Sequence, residues 1–173
     1  GALKGLKGRS VYVQLLSEAI ANNILKKMRL PRSNLIFVGG GNFQIIIPNI
    51  AQAKEKIEDI IKKTDEILYS AHNGKICCVI GQRQFSYNHF SSENFAGLIS
   101  ALKTSLAREK RRKFKYKVGS DFFKTEPVGI GECPICGEDI KYVGNDEKCA
   151  MCKSFELLSS KIRNCKVIKK FLK

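Results

Sequence analysis

The sequence has 173 residues, 43% of them hydrophobic and 27% charged, which suits one or two small domains with a real core and excludes wholesale disorder. No apolar run approaches the ~20 residues of a membrane span, and no basic-then-apolar signal segment opens the chain. Lysine and arginine number 31 against 16 acidic residues, a formal net charge of +15; that excess points to a polyanion, nucleic acid before an anionic membrane. A basic surface with no such partner is the alternative. Seven cysteines without a secretory signal imply a reducing, cytoplasmic compartment, where paired cysteines read as metal ligands before disulfides.

In chain order, the spacing of Val11, Leu15, Leu16, Ala19, Ile20, Ile24 and Leu25 predicts a helix from about Ser10 to Met28. Ser10 is a plausible N-cap, and Pro31 stops the helix after its basic end. Leu35–Val38 and Phe43–Ile47 are apolar, β-branched runs around Gly39-Gly40-Gly41-Asn42, a hairpin pattern in which Gly and Asn supply positive φ. The runs are continuous rather than alternating, which predicts a central position in a sheet. A second helix is expected over Ala51–Leu68, with Ile57, Ile60, Ile61, Ile67 and Leu68 inward. Asn73-Gly74 then turns the chain into a strand at Lys75–Ile80.

The order helix, strand, strand, helix, strand needs one further strand before residue 1 to make βαββαβ. The predicted class is therefore α+β, a ferredoxin-like domain with its first strand missing. A third helix is predicted from about Ser92 to Lys113, with Phe95, Leu98, Ile99, Leu102 and Leu106 on one face, and a final helix from about Phe155 to Leu172. Residues 1–117 are expected to form the first domain. Residues 118–173 are expected to form a small, partly helical metal-binding domain, entered by an aperiodic linker from Val118 to Gly131.

Cys133-Pro-Ile-Cys136-Gly137 and Cys149-Ala-Met-Cys152 carry the strongest chemistry. Each CxxC turn offers two thiolates to one ion, and four sulfurs close a tetrahedral zinc site with no open position, hence a structural metal. A redox dithiol, an iron–sulfur cluster and two disulfides are the rivals. Cys77 and Cys78 read as core residues of a strand, and Cys165 as a surface or packing residue. The glycines at 39–41 form either a plain turn or a backbone cradle for phosphate, without a Walker lysine. Eight basic residues face one acidic residue between Ala101 and Lys117. Arg108, Lys110, Arg111, Arg112 and Lys113 lead that run, and Phe114 and Tyr116 interleave it, a pattern suited to phosphates and stacked bases. An acidic protein face would suit it as well.

The hairpin carries no carboxylate, and His72 and His89 form no cluster with one another or with an acid in the sequence. Two-metal nucleotidyl transfer needs such carboxylates, so the sequence argues against an autonomous active site.

Lys4-Gly-Leu-Lys-Gly-Arg-Ser10 leading a helix, Leu30-Pro-Arg-Ser-Asn-Leu-Ile36, the Gly39–Phe43 turn with Ile47-Pro-Asn49, and the two cysteine pairs followed by Phe155-Glu-Leu157 together resemble the large subunit of type III-A CRISPR effector complexes, the Csm group. The resemblance covers the first, cyclase- or polymerase-like palm domain and the zinc-bearing domain that follows it. It implies an internal segment of an antiviral, RNA-guided subunit whose whole length would cut single-stranded DNA and make cyclic oligoadenylates. This segment has neither the HD pair nor the GGDD hairpin of that chemistry. It would help hold ATP through Gly39, Gly40 and Gly41, with Mg²⁺ or Mn²⁺ supplied only in the intact parent. Guide RNA, target RNA or single-stranded DNA, and other subunits are the implied partners, with no membrane. A free-standing zinc-ribbon nucleic-acid-binding protein and an active cyclase or polymerase remain open as alternatives.

Overall fold

The computed structural model describes residues 2–118, 131–140 and 148–165. It is a mixed α/β structure of long helices and two small antiparallel sheets. Its elements are α1 (Ala2–Met28), β1 (Leu35–Gly39), β2 (Asn42–Ile45), α2 (Ala51–His72), α3 (Ser92–Arg111), β3 (Gly131–Glu132), β4 (Asp139–Ile140) and α4 (Ala150–Arg163). Two compact units share them: described residues within Gly1–Asn22, Leu35–Ile45 and Thr125–Lys173 form one, and those within Asn23–Asn34 and Ile46–Lys124 the other.

Helix α1 begins well before Ser10, which is interior rather than a cap. Gly5 and Gly8 weaken helix propensity, but both are buried, and a Cβ on Gly8 would lie 1.9 Å from the Phe155 carbonyl oxygen. Gly8 therefore lets α1 approach α4 closely, and that packing compensates for its low propensity. At the other end, Arg29 takes φ 55°. Leu30 N–H donates to the Leu25 carbonyl at 2.9 Å and Arg29 N–H to Lys26 at 3.1 Å, a Schellman stop that satisfies carbonyls the helix leaves open. Pro31 follows it.

β1 and β2 pair Leu35 with Ile45, Phe37 with Gln44, Val38 with Phe43 and Gly39 with Asn42, with a register shift between Leu35 and Phe37. Gly40 and Gly41 have φ of 56° and 82°, the primed turn that matches strand twist and that non-glycine residues disfavour. The hairpin is not central, as its apolar runs suggested: among the described residues it pairs with no third strand, and Ile36 and Phe37 are more than half exposed. The strand expected at Lys75–Ile80 is irregular chain. A strand needs a ladder partner for its backbone groups, and among the described residues no strand pairs with it; the chain passes close against α3, where a Cβ on Gly81 would meet the Leu106 backbone nitrogen at 2.6 Å.

Helix α2 extends past Leu68 to His72, closed by Asn73 in the left-handed region with its N–H on the Tyr69 carbonyl. Ile57, Ile60 and Leu68 are buried as the pattern predicts and Ile61 is half-buried, but Ala53, Asp65 and His72 are buried as well. Ile67 is exposed instead, because the buried positions follow one stripe and Ile67 lies beside it. Helix α3 ends at Arg111, and none of its five apolar-stripe residues is fully buried. Helix α4 starts earlier than predicted, at Ala150, with Cys149 as its N-cap; Val167, Ile168 and Phe171 of the expected helix lie outside the described residues. No helix among the described residues is long and apolar enough to cross a membrane.

Candidate functional site

The four cysteines singled out in the sequence come together. Cys133 and Cys136 lie on the turn joining β3 to β4. Cys133 N–H donates to Glu138 O at 2.7 Å, Gly137 N–H to Cys133 O at 2.8 Å, and Gly137 has φ 66°, so the turn folds back sharply enough to aim both thiols one way. The second pair stands at a helix start. The Cys149 sulfur accepts from Cys152 N–H at 3.4 Å, and Cys152 is in the first turn of α4.

All four sulfurs lie within 4.8 Å of one another, and Cys136 and Cys149 are 3.5 Å apart. Sulfurs at about 2.3 Å from zinc in a tetrahedron are roughly 3.8 Å apart, so donor type and spacing fit that ion. Cys133, Cys149 and Cys152 are buried, with Ile135 and Ile140 packed against the cluster. Burial acts to raise the Cys133 thiol, but backbone N–H donors at Cys149, Ile135 and Cys136 outweigh it and bring it down to about 6. Burial pushes Cys152 up to about 12, opposed by a hydrogen bond from Arg9.

Arg9 was not among the candidate residues. Its Nη2 donates to the Cys152 sulfur at 3.2 Å, and its guanidinium lies 5.9 Å from the Phe155 ring centroid. These residues are 143 positions apart, and no local pattern signals the contact.

In the glycine hairpin, Gly40 N–H already donates to Gln14 Oε1 on α1 at 2.9 Å, and Asn42 Nδ2 to the Gly40 carbonyl at 3.2 Å. A Cβ on Gly41 would fall 2.9 Å from Val13 Cγ1. The triplet thus serves turn geometry and packing on α1, and one of its N–H groups has a side-chain partner.

Arg108, Lys110, Arg111, Arg112 and Lys113 are all exposed at the end of α3. Glu109 sits among them: Lys115 Nζ is 3.0 Å from its carboxylate, Arg108 3.8 Å and Arg112 4.0 Å. The Lys115 hydrogen bond leads the effects that hold Glu109 below the usual carboxylate range. Lys113 lies 4.9 Å from the Phe114 ring centroid and Lys115 4.9 Å from that of Tyr116. Beside the run is a cleft of about 250 Å³ lined partly by Asp65, Cys78, Ser105 and Tyr116. Cys77 and Cys78 are half-buried, and burial pushes the Cys78 thiol up to about 12, as suits a packing residue rather than a nucleophile.

His72 is buried in the last turn of α2. His89 closes a capping box with Ser86 in the short turn Tyr87–Phe90. Cys165 is exposed and lies apart from the four-sulfur cluster.

A family model described as Csm1 subunit domain B matches residues 1–127. The CRISPR system single-strand-specific deoxyribonuclease Cas10/Csm1 (subtype III-A) of Thermococcus onnurineus is 31% identical over 144 residues, covering 81% of this chain and 18% of that protein. Its counterpart from Methanocaldococcus jannaschii is 29% identical over 187 residues, covering 94% of this chain and 23% of that protein. The crystal structure of an apo Csm1–Csm4 cassette is similar at a TM-score of 0.63 and 31% identity over 68% of this chain and 17% of that one. A Csm1–Csm4 cassette in complex with one ATP gives the same score over 70% of this chain. The chain spans about a fifth of the length of the curated relatives it matches.

Proposed function

The chain belongs to the Csm1 family of subtype III-A CRISPR systems, and from that premise we propose that it is a non-catalytic scaffold and ligand-binding segment of an antiviral, RNA-guided complex. Family membership favours this over a free-standing zinc-ribbon protein. In this reading residues 1–117 belong to an incomplete ferredoxin-like palm and residues 118–173 to a zinc-binding domain. Support for the palm is the hairpin between two long helices and the likeness to Csm1 structures. Support for zinc is the closed, four-thiol donor set, which offers no open position and so suits a structural ion.

The observation that carries the non-catalytic reading is the hairpin turn itself. Gly39, Gly40 and Gly41 present backbone groups, and from Leu35 to Ile47 there is no carboxylate to hold Mg²⁺ or Mn²⁺. In the intact parent the metals would come from elsewhere in the subunit, and this turn would help position ATP; a related cassette has been crystallised with ATP. Arg108, Lys110, Arg111, Arg112 and Lys113 would meet guide RNA, target RNA or single-stranded DNA through phosphates, and other subunits of the complex would be its protein partners, as the Csm1–Csm4 cassettes suggest. The reaction of the parent, single-stranded DNA cleavage and oligoadenylate synthesis in the cytoplasm, would lie outside this segment.

ATP titration into the intact parent subunit tests the hairpin's part. Asn42→Ala, which removes the side-chain bond to Gly40 without touching the glycines, should weaken ATP binding severalfold. Unchanged affinity would remove the turn from the nucleotide site.

A further inference from the structure

Three features converge on one residue of α1. The Arg9 guanidinium donates to the Cys152 sulfur at 3.2 Å. It also lies over the Phe155 ring, which pairs with the Tyr12 ring at 5.3 Å between centroids. One residue earlier, Gly8 has no room for a side chain against the Phe155 backbone. Arg9 is therefore not a surface arginine that happens to reach a thiol. The close approach at Gly8 holds its backbone beside α4, and the Phe155 ring lies against its guanidinium.

Four thiolates around Zn²⁺ leave a net charge of about −2. Burying that charge needs donors and counter-charge, and partners beyond the ligands tune both affinity and ligand orientation. Arg9 supplies both donor and counter-charge at one ligand, as a cation hydrogen-bonded to the Cys152 sulfur. We propose that Arg9 is a positioning residue of the metal centre: it offsets the charge on the Cys152 thiolate, and through it zinc binding holds the first turns of α1 against α4. This inference rests on the zinc reading above and adds a residue from the far end of the sequence to it.

The test compares wild type, Arg9→Gln, Arg9→Lys and Tyr12→Leu in the 173-residue chain. Two quantities are read: zinc affinity by chelator competition, and the sulfur-to-metal charge-transfer band after Co²⁺ substitution. Arg9→Gln should weaken zinc binding about 10- to 100-fold and shift the band. Arg9→Lys, keeping charge but losing the planar fork, should fall between the two. Tyr12→Leu should loosen the α1–α4 contact yet leave the band in place, which a purely structural role for Arg9 would not predict. If wild type takes up zinc stoichiometrically and both Arg9 variants match it in affinity and band, the assignment of Arg9 is overturned while the zinc site stands. If wild type takes up no zinc, the metal reading falls and this inference with it.

Discussion

Gly8 lies so close to Phe155 that a Cβ in its place would come within 1.9 Å of the Phe155 carbonyl oxygen and 2.6 Å of its carbonyl carbon. Both contacts are backbone, so neither can swing aside. Gly8→Ala should destabilise the unit holding the cysteine cluster by about 1–3 kcal/mol or more. Gly97 is the control: it is in exposed helix with nothing near its Cβ position, and Gly97→Ala should gain about 0.5–1 kcal/mol. Thermal or denaturant unfolding of the two variants should move in opposite directions.

Metal analysis of the purified chain should find about one zinc per molecule. Cys133→Ser and Cys149→Ser should each lower that stoichiometry and raise amide exchange over residues 133–140 and 149–163, because ion binding and local folding are one equilibrium at such sites. Chelation of wild type should reproduce the change, and zinc should reverse it. A folded, reduced preparation with no metal and unaltered exchange on chelation would remove zinc from the account.

Glu109 partly neutralises the basic run by its approach to Lys115, Arg108 and Arg112. Glu109→Gln should therefore tighten binding of single-stranded nucleic acid severalfold and steepen its salt dependence. Neutralising Arg108, Arg111, Arg112 and Lys113 together should weaken binding and flatten the slope, with little sequence preference in either case. Fluorescence anisotropy across a salt series reads both. Identical slopes in wild type and the fourfold variant would leave the run facing protein or solvent.

Burial lowers the His72 pKa from its ordinary 6.5, so the fold favours the neutral ring. The unfolded chain then takes up its proton first as pH falls. The His72 contribution is fully present above pH 6.5 and declines below it until the folded state also protonates. The difference in unfolding free energy between wild type and His72→Gln should shrink over that window. A difference independent of pH between 7.5 and 5 would contradict the burial of a neutral ring.

Legibility tracked the range of the interactions involved. The cysteine quartet, the Gly40-Gly41 turn and most of the inward stripe of α2 depend on residue types at short spacing, and the structure bears out their local geometry. The N-terminal turns of α1 were not legible, because Gly8 makes its contact with Phe155 of α4, remote in sequence. Arg9 and Gln14 were missed for the same reason: their partners, Cys152 and Gly40, are remote in sequence. The run Lys75–Ile80 had the composition of a strand, but among the described residues no strand pairs with it. Ile67 looked inward on composition, whereas the helix period turned Asp65 and Leu68 to the buried side.

In the proposed reading this segment binds and supports but does not catalyse. The direct measurement is turnover: the purified 173-residue chain incubated with ATP and Mg²⁺ or Mn²⁺, alongside the intact parent subunit in its complex with target RNA. Phosphoryl transfer needs metal ions held by carboxylates at a fixed spot, and the hairpin of this segment has none. Oligoadenylate is expected from the complex and none from the chain above a metal-free control. Oligoadenylate made by the chain alone, in proportion to its amount and persisting through repurification, would contradict it.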